Sequence, residues 1–475
     1  MSEVARIISD EPMLRYADAD ERLARLSDKV RLDLDRMDFP PRDWVRPLQH
    51  ASGEPVYDVA IIGAGQGGLA AALALWRERV RNIIVLDKAE EGTEGPWVSF
   101  ARMKTLRTPK YLTGPDTGIP DLTFMAWYAA QYPQESWQEL DRIPRRMWMA
   151  YLRWLRALVP AEIRSGTEVT TILPDGAGFL ALKAGGEIVR ARRVILANGI
   201  EGCGRWEAPA ELTEPIPSDR WMHASDPRDL SFLRGARVGV LGYGASAVDC
   251  AATAAETGAD VHLFFRRRTV STPERRAWIE TTGFLRHYAD MTDAQRWRAM
   301  HAYFTAGSPP PTWSLQRLIK AGASLHPAQG WLASRPDGSG VSVKTPDEGW
   351  LPFDFLIFGT GLRVDPDLRP ELAAFHGQIA CWEDRYTPPN DLIHGPMGRY
   401  PYLDDAGALT ERHPGKAPHL SSLYVFNWGA TLSLGISSSS ITGMKFGLSR
   451  IVPGLTRSLW LEQADDYIAD FPGTG

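Results

Sequence analysis

The sequence predicts an α/β protein made of two dinucleotide-binding, Rossmann-like folds, one inserted in the other, behind a helical N-terminal extension. Two observations carry this. A strand, a glycine turn, a helix and a second strand follow one another from Val56, and the same succession recurs from Arg237 to Phe265. Downstream of each unit, short strand-like runs broken by Asp-Gly and Gly-Gly turns lead into an apolar strand that ends in glycine, RVILANG in the first case and LIFGTG in the second. The chain therefore reads as a structural duplication.

Taken in order, residues 1–55 form the extension, with helical periodicity through Leu14, Leu23, Leu26, Val30 and Leu34 and a break at Pro40-Pro41. It is a candidate cap or homo-oligomer contact. Residues 56–205 form the first part of the first nucleotide fold, 206–345 the inserted second fold, and 346–475 the remainder of the first, which resumes near Leu356.

A chain of 475 residues exceeds the usual size of one hydrophobic core, so several domains are expected. Hydrophobic residues at 44% and charged residues at 23% are ordinary for a globular protein. The net charge of −5 gives no basic field for a nucleic acid backbone. Apolar runs such as Leu69 to Trp76 are too short to span a bilayer, and the start lacks a basic-then-apolar leader, so a cytoplasmic protein without membrane contact is expected. Cys203, Cys250 and Cys381 are odd in number and far apart; they suggest neither a disulfide framework nor a metal site, and no C-x-x-C pair marks a dithiol reductase.

The chemistry-bearing residues sit at the two turns. In AIIGAGQGG, Gly63, Gly65 and Gly68 let backbone approach a pyrophosphate at a helix N-terminus, with Gln66 inside the turn. Asp87 closes the next strand, where a carboxylate accepts bonds from ribose hydroxyls. The second turn, VLGYGASAVD, offers Gly242, Gly244 and Ser246. Its second strand ends in Phe265, Arg266, Arg267 and Arg268 rather than an acid, which suits a 2′-phosphate and favours NADPH over NADH. A solvated basic turn is the plainer reading of that run. Two such sites suggest one cofactor held permanently and one that visits, as when a flavin takes hydride from a nicotinamide.

The ordered set GAGQGG, GPW at Gly95–Trp97, GYGASAVD and FGTG resembles the flavin-containing monooxygenase superfamily, including its N-hydroxylating and Baeyer–Villiger members, over most of the chain after residue 55. The resemblance implies that Gly63, Gly65, Gln66, Gly68, Asp87 and Trp97 hold FAD and that Gly242, Gly244, Ser246, Arg266 and Arg267 hold NADPH. It also implies that the strand end Gly359, Thr360 and Gly361 packs near the flavin. MKTLRTPKYLTGP is similar to the segment over the flavin in N-hydroxylating members, which makes Met103, Lys104 and Lys110 candidate substrate or catalytic contacts; a solvated basic face is the alternative. His223 partly matches the superfamily's linker histidine, but Pro217 and Asp219 stand where Phe and Gly are expected, which weighs against Baeyer–Villiger chemistry. A structural histidine is the other reading.

Near the C-terminus, a helix beginning near Ile441 aims its amides, at Thr442 and Gly443, toward a flavin pyrimidine oxygen. A capped serine-rich loop is the alternative. The aromatic stripe Phe124, Trp127, Tyr128, Tyr132, Trp137, Trp148, Tyr151 and Trp154 is read as core. The expected activity is single-component monooxygenation: NADPH reduces FAD, a flavin C4a-hydroperoxide forms with O2, and one oxygen atom passes to a small soft nucleophile, N-hydroxylation being favoured over S-oxygenation. The alternatives are Baeyer–Villiger oxygenation of a ketone, with Arg275 or Arg276 as the charge partner, and a redox-sensing flavoprotein acting through a partner.

Overall fold

The computed structural model describes residues 14–470 apart from 38, 39, 41, 113, 177, 271–277 and 439. Pro41, Arg275 and Arg276 lie outside the described residues. The extension forms helix α1 (Ala19–Arg36), which buries Val30 and Leu34 and half-buries Leu23 and Leu26 against the core of the first fold. Each of the two buried side chains contributes roughly 1.5–3 kcal/mol. Lys29 pairs with Asp121 at 2.6 Å on the same seam. The apolar face of α1 is thus used within its own chain, as a cap, while Leu14 stands exposed ahead of the helix.

The first fold runs β1 (Tyr57–Ile62), α2 (Gln66–Arg77) and β2 (Ile83–Leu86), then two helices of the aromatic segment, α3 (Phe124–Gln131) and α4 (Arg145–Arg156). Strands β3 (Glu162–Arg164), β4 (Val169–Asp175), β5 (Phe179–Ala184) and β6 (Glu187–Leu196) complete most of its sheet, in the order β3-β2-β1-β6-β5-β4. The β1, β2 and β6 pairings are parallel and every residue of β2 is buried, as a strand covered on both faces requires. The aromatic stripe packs as core: Phe124, Trp127, Tyr128, Trp148, Tyr151 and Trp154 are all buried.

Two short strands lead across, β7 (Gly204–Trp206) and β8 (Trp221–His223). The second fold then runs β9 (Arg237–Leu241), α5 (Ala245–Glu256), β10 (Asp260–Phe265), α6 (Asp293–Ala306), α7 (Thr312–Lys320), β11 (Ser324–Pro327), the antiparallel meander β12 (Ala333–Asp337), β13 (Gly340–Thr345) and β14 (Gly349–Phe353), and β15 (Phe355–Phe358). Its parallel sheet has the order β11-β10-β9-β15-β8. Because β15 pairs with β9 and β8, the boundary expected at 345/346 falls instead after Phe358: the LIFGTG strand closes the second copy, as RVILANG closes the first. The chain returns through β16 (Leu362–Val364), antiparallel to β7, so two adjacent strands form the crossing. Then β17 (Leu423–Val425) joins β6 in the first sheet, and α8 (Met444–Glu462) packs back on α2.

The helices between β10 and β11 do more than connect. Tyr288, Trp297 and Met300 belong to the core of the first fold, although the chain there is an excursion of the second. Tyr288 Oη donates to the Leu432 carbonyl at 2.9 Å, Trp297 Nε1 to that of Leu392 at 2.9 Å, and Arg296 to that of Ser433 at 3.2 Å. The excursion is rooted in the fold it did not come from.

Candidate active site

Both glycine turns lie at the C-terminal edge of their parallel sheets, the place where open α/β sheets bind ligands. At the first, Gly63 has φ +108°, and a Cβ there would stand 2.5 Å from the Ala197 carbonyl oxygen at the end of β6. Gly68 holds α2 close: a Cβ would come within 1.7 Å of the Gly63 oxygen. Among the described residues nothing lies within 4 Å of where a Gly65 Cβ would stand, and none of their side chains caps the helix whose N-cap it is. That open space before an uncapped helix N-terminus fits a pyrophosphate. Asp87 accepts from Ala64 N at 2.6 Å and Ala89 N at 2.8 Å, which fixes its carboxylate at the turn with lone pairs to spare for a ribose.

Around this turn the residues named from the sequence converge. Gln66 accepts a bond from Trp148 Nε1 at 3.1 Å, and Trp97 meets Trp148 edge-on at 6.4 Å between centroids. Gly443 is the N-cap of α8, and Thr442 is buried with its Oγ1 lacking a hydrogen-bond partner among the described residues. An orphaned buried hydroxyl at a helix start is the kind of group a polar cofactor edge satisfies. Burial and hydrogen bonding thus fit a dinucleotide with a polar ring system.

The second turn is built alike but covered differently. Gly242 has φ +130°, with the Gly359 oxygen 2.4 Å from where its Cβ would lie. Gly359 therefore packs on the second turn, as the pairing of β15 with β9 requires. Thr360 Oγ1 donates to the Glu207 carbonyl at 2.6 Å, and Gly361 takes φ +94°, so both belong to the crossing between folds. Ser246 is exposed at the start of α5. Arg266 is exposed, its stem beside Gly330, while Arg267 donates to the Ala306 carbonyl at 2.7 Å. The Ala245 N–H at the helix start is taken by the Ser308 carbonyl at 3.1 Å. A strap of three residues, Ala306–Ser308, thus holds both a guanidinium and a helix amide at this site.

The remaining candidates have specific partners. Lys104 Nζ lies 3.6 Å from Glu256 at the end of α5, and Arg317 donates to Glu256 and to the Arg102 carbonyl, so this region joins the two folds. Lys110 Nζ donates to the carbonyls of Trp137 and Leu140, and burial lowers its pKa; it closes the short helix Gln134–Glu139. Met103 is half-buried against the first core. His223, on β8, accepts from or donates to Ser225 Oγ at 2.7 Å through Nδ1, and its Nε2 is buried without a partner among the described residues. Burial pushes its pKa down to about 4, against the opposing pull of the Gly361 backbone and Asp226, so the ring is neutral at pH 7. All three cysteines are free and buried, so none of them forms a dithiol centre.

Sequence reasoning missed the strap and the root of α6. The run Gly307-Ser308-Pro309-Pro310-Pro311 was the available signal, since such a stretch stops a helix and stiffens the chain beyond it. It also missed Asn427, whose side chain donates to the Leu196 carbonyl at 3.1 Å and to Asn198 Oδ1 at 2.9 Å, pinning the segment after β17 across the edge of the first sheet.

Comparison with known proteins agrees with this architecture. The family of pyridine nucleotide-disulphide oxidoreductases matches residues 60–290. Among solved structures, an ornithine hydroxylase of Pseudomonas aeruginosa (TM-score 0.68, 16% identity) covers 85% of this chain and 100% of its own. The ornithine N-hydroxylase of Kutzneria sp. 744, solved with reduced FAD, NADP+ and L-ornithine, gives TM-score 0.62 at 17% identity, with 85% and 100% covered. At such identity these share the fold. A FAD-dependent urate hydroxylase of Xanthomonas campestris pv. campestris is 42% identical over 455 residues, 95% of this chain and 96% of that one. With that likeness along nearly the full length of both, the chain belongs to the family of that urate hydroxylase, among the flavoprotein monooxygenases.

Proposed function

We propose that this protein is a FAD- and NADPH-dependent monooxygenase that hydroxylates urate or a closely related oxidised purine. The 42% identity to the Xanthomonas urate hydroxylase over 95% of the chain carries the reading. The N-hydroxylases share the fold at 18% identity or less, so they do not carry amine oxidation with them. Urate is also a soft nucleophile, through a ring carbon that two nitrogens make electron-rich, so under this reading the favoured atom is carbon rather than nitrogen. Bound FAD, once reduced by NADPH, supplies the activation of O2. The balance is one urate, one O2, one NADPH and one proton giving one hydroxylated urate, one water and one NADP+.

The chain's own share is to hold and orient. Gly63, Gly65 and Gly68 with the α2 amides take the FAD pyrophosphate, Asp87 the ribose, and Thr442 with Gly443 a polar edge of the ring system. Gly242, Gly244 and Ser246 take the pyrophosphate of NADPH, with Arg266 and Arg267 at its 2′-phosphate. His223, neutral and half-buried, positions the crossing. Met103, Lys104 and Lys110 support the wall of the site, the lysines through the partners described above. Baeyer–Villiger chemistry would need a cation beside the flavin, and Arg275 and Arg276 lie outside the described residues.

The test is turnover by the flavin-loaded protein, with urate loss, oxygen uptake and NADPH oxidation followed together and an ornithine, lysine and ketone panel run beside it. Equal consumption of urate, O2 and NADPH is expected. Urate-independent NADPH oxidation with all oxygen released as hydrogen peroxide, or coupled turnover of an amine alone, would overturn the urate reading.

A further inference from the structure

Where the second fold's excursion roots at the edge of the first sheet, side chains from three separated stretches of sequence come together. Phe304 lies in the last turn of α6, two residues before the strap at the second nucleotide turn. It meets Tyr400 at 5.4 Å between centroids, His394 at 6.3 Å and Trp428 at 6.5 Å. Trp428 follows Asn427, and its backbone N–H donates to the Gly199 carbonyl, so it stands just beyond the end of β6. Its Nε1 donates to the Tyr400 hydroxyl at 3.1 Å, which fixes the ring plane. Position along the chain therefore puts this cluster between the strap of one nucleotide turn and the sheet edge of the other.

The cluster is incompletely closed. Phe304, Trp428, His394, His301 and Tyr303 are all only half-buried, whereas a core aromatic of this protein, such as Trp148 or Trp382, is 2% exposed or less. His394 carries a buried Nδ1 with no hydrogen-bond partner among the described residues, and His301 stands edge-on to it at 5.9 Å. Burial, and His301 beside it, lower the His394 pKa, so the ring is neutral and offers one donor and one acceptor. Flat aromatic walls of restricted freedom select a flat ligand. A neutral imidazole edge can pair with an N–H or a C=O on the rim of a heterocycle.

We propose that the half-exposed face of this cluster, formed by Phe304 and Trp428 and edged by His394 and His301, is the binding site for the purine ring of the substrate. The inference rests on the urate reading above and adds the place and the residues. Tyr400 holds Trp428, and α6 ties the wall to the strap, so the substrate pocket and the second nucleotide turn share one helix.

The experiment is equilibrium dialysis of urate against the oxidised, flavin-loaded protein without NADPH, for the native chain, Phe304→Leu and His394→Gln. Each substitution keeps approximate volume, and each site is half-exposed, so both variants are expected to fold. Urate Kd should rise tenfold or more in each, while flavin content, thermal midpoint and NADP+ Kd stay within about twofold of the native protein, tenfold being about 1.4 kcal/mol. A packing role alone would lower the midpoint and flavin content without a selective loss of urate. If the native protein consumes urate and both variants bind it normally, this site is wrong and the urate reading stands. If the native protein neither binds nor consumes urate, both fall together.

Discussion

The two glycine turns of this chain solve the same steric problem with a methyl group on opposite sides. In the first, the helix residue is Gly68 and the facing strand end is Ala197; in the second, the helix residue is Ala247 and the strand end is Gly359. A Cβ on Gly359 would lie 2.3 Å from the Ala247 Cβ, so the second copy has room for one methyl and places it on the helix. The first copy draws its helix closer, onto the Gly63 carbonyl. A second difference is what covers the turn. Open space faces Gly65, whereas the Ala306–Ser308 strap crosses the second turn. A tight, open cradle suits a cofactor that stays, and a turn already holding internal partners suits one that exchanges.

The largest effect is expected at the tight turn. Gly68→Ala sets a Cβ 1.7 Å from a backbone oxygen, which no rotamer relieves, and should cost about 3 kcal/mol or more and yield protein without flavin. The corresponding residue of the second copy is already alanine. Flavin absorbance per mole of protein, with the thermal midpoint, checks this; a Gly68→Ala protein that keeps its flavin would remove the distinction between the copies.

The crossing between copies should respond to acid. His223 has an unfolded pKa near 6.5 and a folded one near 4, so the folded state resists protonation. Its contribution is whole above pH 6.5 and disappears as pH falls from 6.5 through 4, about 3 kcal/mol in all. Urea titrations at stepped pH should show that loss in the native protein and a flatter profile in His223→Gln. An identical slope in both would mean that another group dominates.

How much of this could be read in advance divides along the same line. The two glycine turns were legible because each is a local demand of backbone on residue type. The extra helix packing of α1 was legible from its spacing, since Val30 and Leu34 fall on one face. The strand LIFGTG could be seen to end a copy, yet its sheet could not be assigned by local pattern, because pairing with β9 is a tertiary choice. Lys110 shows the converse limit: a basic residue in a promising motif proves to hold two carbonyls of a neighbouring helix end. The aromatic cluster of Phe304, Tyr400 and Trp428 was invisible for the same reason, being assembled from residues up to 124 positions apart in the chain.

A smaller effect tests the exchange of the methyl directly. Gly359 does not need a left-handed backbone, so Gly359→Ala is opposed chiefly by the contact with Ala247, with the Leu241 carbonyl oxygen 3.2 Å away, and should cost about 2 kcal/mol. Adding Ala247→Gly removes the nearest atom but leaves the residue's Cα 2.9 Å away, so it should restore part of the loss, less the roughly 1 kcal/mol that glycine costs inside a helix. Thermal or urea unfolding of the two single variants and the pair gives the coupling. Simple additivity would show that the two copies are not related by this exchange.

The smallest effect concerns the strap. Gly307 has φ +69°, and the Arg267 guanidinium lies 2.7 Å from the place of its Cβ, so Gly307→Ala disfavours the closed strap by about 1 kcal/mol. If NADP+ takes Arg267 and the Ala245 amide from the strap, weakening the strap lowers what binding must overcome, and affinity should rise about fivefold. Arg267→Ala removes the guanidinium itself and should weaken NADP+ while leaving NAD+ unchanged. Titration of both nucleotides against the flavin-loaded variants distinguishes the cases. Unchanged or weaker NADP+ binding in Gly307→Ala would mean that the strap is fixed scaffolding, and that the nucleotide reaches the second turn through Tyr243, Gly244 and Ser246 alone.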